Sequence, residues 1–132
     1  MHIYCGKQPL PMPASKMVNK LGKYLYKHLD GAYQFKTSGN MYDVYFTLLY
    51  QLKPEFGGKV NDVKEMTVNI NITTYQNKIR VNVIEMTPEE RTIGYDLFTP
   101  DKLQNLEEAK DLIFNRVVKR ISKAYENYIF LF

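Results

Sequence analysis

The chain of 132 residues has little of the side chains that disulfide and metal chemistry most often use. It contains one cysteine, Cys5, two histidines, His2 and His28, and no tryptophan. A single cysteine excludes an internal disulfide and predicts a reducing, cytoplasmic location. Since no Cys or His pair has the spacing of a metal site, we predict neither a metal nor another cofactor.

A catalytic constellation is also missing from the sequence. Cys5, His28 and Asp30 include the residue types of a thiol nucleophile, its base and a group that orients the base. Nothing in their spacing places them together, and His28 falls on the apolar face of a predicted helix, at its rim or in the core. The sequence therefore predicts a protein that is not an enzyme.

Long hydrophobic runs are absent as well. No segment approaches the roughly 18 consecutive apolar residues of a membrane span, and the N-terminus lacks the pattern of a signal peptide. The length fits a single domain over residues 1–132. Its first 14 residues contain Pro9, Pro11 and Pro13, which predict an extended segment.

The clearest pattern that is present is a β-hairpin. Two alternating segments, Met66–Tyr75 and Lys78–Met86, are separated only by Gln76 and Asn77. With these two residues as the loop, the apolar positions of both strands share one face and the polar positions share the other. The predicted pairs are Ile72 with Val81, Ile70 with Val83, Asn71 with Asn82, and Thr73 with Arg80.

The remaining elements complete an α+β fold, in which an antiparallel meander of about five strands carries an N-terminal helix and a long C-terminal helix on one face. Gly22 either weakens the prediction of the first helix or indicates its close packing on the sheet. We predict helices over Ser15–Leu29 and from Thr99 through Tyr128, and further strands over Tyr33–Thr37, Met41–Leu52 and Thr92–Phe98, the last with Ile93, Tyr95 and Leu97 inward.

Polar side chains on the second face of the hairpin form the first candidate site. Asparagine is unfavourable in strands, so its repetition there asks for a reason. The two interpretations are a solvated sheet face and a platform that binds a protein partner. The candidate partner-binding residues are Asn69, Asn71, Thr73, Tyr75, Arg80 and Asn82.

A lysine stripe on the first helix forms the second candidate site. Its members recur at helical spacing within one narrow arc that points away from the apolar positions. They are suited to contact phosphates or an acidic partner, or they form an ordinary solvated face. The stripe consists of Lys16, Lys20, Lys23 and Lys27.

The apolar C-terminal segment, residues 128–132, is unusual for a terminus and predicts either docking onto the domain or insertion into another subunit. Together with eleven tyrosines, these features favour a non-catalytic protein–protein interaction domain, as an adaptor or a small subunit of a complex. Self-association is part of this hypothesis. The alternatives are a nucleic-acid-binding domain that uses the lysine stripe, and a binder of small apolar ligands with a cavity between sheet and helix.

Overall fold

The computed structural model describes residues 14–28, 33–38, 41–59 and 62–131 of the chain. Within these ranges it has two α-helices and six β-strands. The helices are α1 (Ala14–His28) and α2 (Leu106–Ala124), and the strands are β1 (Tyr33–Ser38), β2 (Met41–Leu52), β3 (Lys64–Tyr75), β4 (Lys78–Thr87), β5 (Arg91–Phe98) and β6 (Tyr128–Leu131).

The sheet confirms the predicted α+β class. Its first five strands lie in chain order, each antiparallel to the next, as a meander. The sixth strand, β6, pairs with the second half of β2, beginning at Leu52 opposite Tyr128. One edge of β2 is occupied by β3 along its length, so β1 and β6 share the other edge: β1 pairs with the first half of β2 and β6 with the second half. The C-terminal segment therefore docks onto the domain, as one of the two predictions had it.

The hairpin register is confirmed in all four predicted pairs. Ile72 lies opposite Val81 and Asn71 lies opposite Asn82, and the other two pairs follow the same register. Both loop residues adopt the left-handed conformation, with φ of 49° at Gln76 and 63° at Asn77. Two consecutive left-handed residues are what a tight two-residue hairpin loop requires.

One face of this sheet packs against both helices and forms the core. Side chains of α1 and α2 join those of β2, β3 and β4 in a single apolar cluster. Contact is very close at Gly22, where an added Cβ would lie 2.1 Å from the ring of Tyr42. Glycine thus brings α1 against the sheet, as one of the two interpretations of Gly22 predicted.

Two boundaries of the second helix differ from the prediction. Residues Pro100–Leu103 form a short 3₁₀ helix, and α2 begins only at Leu106. The reason is a cap: Asn105 adopts an extended conformation, and its side chain accepts a hydrogen bond from the backbone N–H of Glu108. At the other end the helix stops at Ala124, so Tyr128 belongs to β6 and not to the helix.

The side of β5 that faces the helices was predicted correctly for Ile93, which packs against the core, and wrongly for Tyr95 and Leu97. Tyr95 and Leu97 are 46% and 40% exposed, whereas Phe98 is buried and Asp96 faces α2. A bulge at Ile93 interrupts the pairing with β4 between the Val83–Gly94 and Ile84–Thr92 pairs. The alternation of apolar residues gave the wrong inward side for Tyr95 and Leu97 because Asp96 faces the helices, where Arg120 of α2 pairs with it.

Several predictions fall at the edge of the described residues or beyond it. The proline-containing segment lies outside them up to residue 13, and so do Cys5 and Asp30. His28 is exposed and stacks on Tyr24 with 4.1 Å between the ring centroids, so it is not a core residue. Neither described helix is long and apolar enough to cross a membrane.

Candidate interaction surfaces

The polar face of the hairpin contains a continuous row of hydrogen bonds, which we call the amide ladder. Arg80 Nε donates to Asn82 Oδ1 at 3.0 Å, and Asn82 Nδ2 donates to Asn71 Oδ1 at 2.9 Å. Asn71 Nδ2 then donates to Asp43 Oδ1 at 2.7 Å, and Asn69 Nδ2 donates to the same oxygen at 3.2 Å. The ladder crosses β4, β3 and β2 and ends on a carboxylate.

Burial divides the predicted sheet-face residues into two groups. Asn69 and Asn71 are buried, at 3% and 9% exposure, and so is Asp43 beside them on β2. Buried polar groups need hydrogen-bond partners, and the ladder supplies them. The repeated asparagine therefore has a structural reason within the sheet, which sequence reasoning did not find because Asp43 lies 26 residues before the first of them.

The remaining residues of this face reach the surface. Thr73, Arg80 and Asn82 are half-buried and Tyr75 is exposed. The side chain of Arg80 lies over the ring of Tyr95, with 4.1 Å from Cζ to the ring centroid, and Tyr75 lies 5.7 Å away on the same measure. Leu97 is the strand partner of Arg80. We call Tyr75, Arg80, Tyr95 and Leu97 the Tyr–Arg cluster.

The lysine stripe has the geometry that its spacing predicts. All four lysines are exposed on α1. The apolar residues of the same helix, among them Met17, Leu21 and Leu25, are buried against the sheet. The stripe is therefore a solvent-facing cationic surface, and its contact with phosphates stays a prediction.

A second cationic surface, which we call the basic cleft, lies between α2 and β5. It is an open cleft of about 430 Å³. Arg120 donates to Asp96 through Nε and Nη2 at 2.8 and 3.0 Å, and Arg116 lies 3.7 Å from the same carboxylate. These arginine contacts hold the pKa of Asp96 below its ordinary value, since a guanidinium stabilises the ionised carboxylate. The further cations of the cleft are Lys119 and Lys123.

Sequence reasoning interpreted the basic second half of α2 only as a complement to the helix dipole. The signal that could have found the cleft is Asp96, an acid in a strand whose neighbours are apolar. A half-buried acid needs a hydrogen-bond or ion-pair partner, and a long helix with a basic second half follows Asp96 in the chain. The cleft brings these two features together.

Among the residues that the structure describes, no three side chains of the kinds that bind metals come together. The ligand-cavity hypothesis rests on space between sheet and helices. At Gly22 this space is filled by Tyr42, and two clefts between described residues lie at the surface beside charged side chains. That hypothesis stays a prediction from the sequence.

Comparisons with protein-family models, with curated proteins and with solved structures find no match for this chain. The Tyr–Arg cluster, the lysine stripe and the basic cleft are therefore interpreted from their own chemistry.

Proposed function

We propose that this protein is a non-catalytic interaction domain that binds a protein partner through the Tyr–Arg cluster. The observation that supports this most is the fixed position of Arg80. Its Nε is bound to Asn82, and its guanidinium lies 4.1 Å over the ring of Tyr95. An arginine that is already ordered loses little side-chain entropy when a partner binds.

The composition of the cluster supports the same function. Tyrosine and arginine are the residues that most often dominate the energy of protein interfaces. Both rings of the cluster are nearly half exposed, as is Leu97. A large apolar surface of this kind gains free energy when another protein removes it from water, at about 25 cal/mol per Å². The amide ladder holds the cluster through the hydrogen bond from Arg80 Nε to Asn82.

Affinity capture with matched variants tests this proposal. The immobilised protein is exposed to an extract of its own organism, and bound proteins are quantified by mass spectrometry. The variant Tyr95→Ser/Leu97→Ser should lose a partner that the unchanged protein retains. Phe56→Ser is the control, because Phe56 is 52% exposed and lies beyond the opposite end of β3.

The result decides the proposal in either direction. A partner lost from the cluster variant and kept by Phe56→Ser supports it. If both variants retain the same proteins as the unchanged chain, the cluster is not a binding surface. Circular dichroism of each variant shows whether the fold is intact.

Nucleic-acid binding through the lysine stripe is a second candidate, supported by the exposure of all four lysines on one helical face. Four phosphate contacts would give a slope of about −4 for log affinity against log salt concentration on duplex DNA. Replacing the four lysines by glutamine should abolish retention on a polyanion column. Retention that is unchanged in this variant would dismiss the stripe.

A further inference from the structure

The edge of the sheet at β5 is open in the part of the chain that the structure describes. Among the described strands only β4 pairs with it. From Gly94 to Phe98, beyond the bulge at Ile93, the strand pairs regularly and contains neither lysine nor proline. Its one inward-facing charge, Asp96, is paired with Arg120. An unpaired edge has backbone N–H and C=O groups that an extended segment is able to pair with.

The two faces along this edge differ sharply in chemistry. On the α2 side lies the basic cleft, where Arg120 neutralises Asp96 and further cations remain. Lys119 and Lys123 are exposed and make no ion pair with a described carboxylate. On the other side Tyr95 and Leu97 present apolar surface. A strand laid beside β5 would place alternate side chains on these two faces.

We propose that β5 accepts an extended segment of a partner protein in which acidic and apolar residues alternate. Its backbone adds a strand to the sheet, its carboxylates face Lys119, Lys123 and Arg116, and its apolar side chains cover Tyr95 and Leu97. This rests on the proposed function, and it names the chemistry of the partner.

Charge favours an acidic partner over a second copy of this chain. In a two-fold pairing of β5 with β5, the same surface of both copies comes together. Each basic cleft would then lie beside the other, and like charges at short distance oppose association. The net charge of the chain, +4, acts in the same direction.

A capped peptide of eight residues that alternates glutamate and valine is the probe. Its binding is measured by fluorescence anisotropy at low ionic strength. A second peptide carries an N-methyl group on every residue, so that it keeps the side chains and charge but donates no backbone hydrogen bond. A third replaces glutamate with lysine. Only the first should bind, and it should slow hydrogen exchange of the amides between residues 94 and 98.

Protein variants test the two faces separately. The double variant Lys119→Gln/Lys123→Gln removes two cations from the basic cleft and should weaken binding of the glutamate–valine peptide about tenfold. The control Lys20→Gln/Lys23→Gln removes the same charge from α1 and should change binding by less than about twofold. Equal weakening by both variants would mean that net charge alone attracts the peptide, and would overturn the proposal.

The remaining outcomes also decide the matter. Equal binding of the N-methylated peptide overturns strand addition. No binding of the glutamate–valine peptide overturns it too, but leaves the Tyr–Arg cluster to be judged by affinity capture, which tests dependence on Tyr95 and Leu97 separately. A peptide that binds without any capture effect of the cluster variant instead refutes the broader function.

Discussion

Replacing Asn71 with valine distinguishes a structural amide ladder from a merely solvated sheet face, because the two predict opposite signs. On a solvated face, valine is the better strand residue, and stability should rise by up to about 1 kcal/mol. In the ladder, Asn71 is buried, donates to Asp43 at 2.7 Å and accepts from Asn82 at 2.9 Å. Valine removes both bonds.

The size of the loss follows from these two contacts. A hydrogen bond to an ionised group contributes about 1.5–3 kcal/mol, and a neutral one about 1 kcal/mol. Asp43 keeps the bond from Asn69, and Asn82 is only half-buried, so water replaces part of what is lost. After the better strand propensity of valine is subtracted, the free energy of unfolding should fall by about 2 kcal/mol.

Equilibrium unfolding in urea measures this change. With a slope of roughly 2 kcal/mol per molar for a domain of this size, the midpoint should fall by about 1 M. The control is Thr47→Val, because Thr47 is exposed and lies on the face of β2 that also bears Asp43. Its effect should stay within about 0.5 kcal/mol. An Asn71→Val protein as stable as the unchanged chain, or more stable, would refute the ladder as a stabilising network.

Two further predictions concern the core and the basic cleft. Gly22→Ala places a Cβ 2.1 Å from the ring of Tyr42. The resulting overpacking, which costs about 1–3 kcal/mol, should exceed the helix-propensity gain of about 1 kcal/mol and lower the Tm. An unchanged Tm would contradict this, and Lys23→Ala at an exposed position of the same helix is the control. Asp96→Asn should destabilise the protein at neutral pH, because Arg120 lowers the pKa of this carboxyl in the folded state. That stability is present above the unfolded pKa of about 3.9 and is lost as pH falls through the lower folded pKa. The difference from the unchanged protein should therefore vanish in acid, and a difference that persists there would contradict the role of the ion pair.

Local pattern was sufficient for the hairpin. A two-residue loop leaves one register in which Ile70 and Ile72 meet apolar partners, and a slip by one residue would bury the asparagines against the helices. The same logic predicted the bounds of β2 without error. Alternation of apolar and polar residues over many positions leaves few alternative bounds or registers for a strand.

Long-range polar contacts explain what pattern missed. The assignment of β5 failed because Asp96 is acceptable on the helix side only when Arg120 is there to pair with it. Two of the three candidate sheet-face asparagines, Asn69 and Asn71, have a structural role because Asp43 lies beside them on β2. Such partners are far apart in the chain, so local alternation does not show which distant residue pairs with a given polar side chain.

The direction of the amide ladder links its structural role to the exposed surface. A carboxylate only accepts hydrogen bonds and a guanidinium only donates them, so the orientation of the two amides between Asp43 and Arg80 is determined from both ends. Asn82 therefore presents its oxygen to Arg80 and binds Nε. This leaves the terminal nitrogens of Arg80, which form the fork that pairs with a carboxylate, without a hydrogen bond to the described residues. A buried acid on β2 thus fixes, through two amides, the position of the arginine on β4 to which the proposed function assigns partner binding.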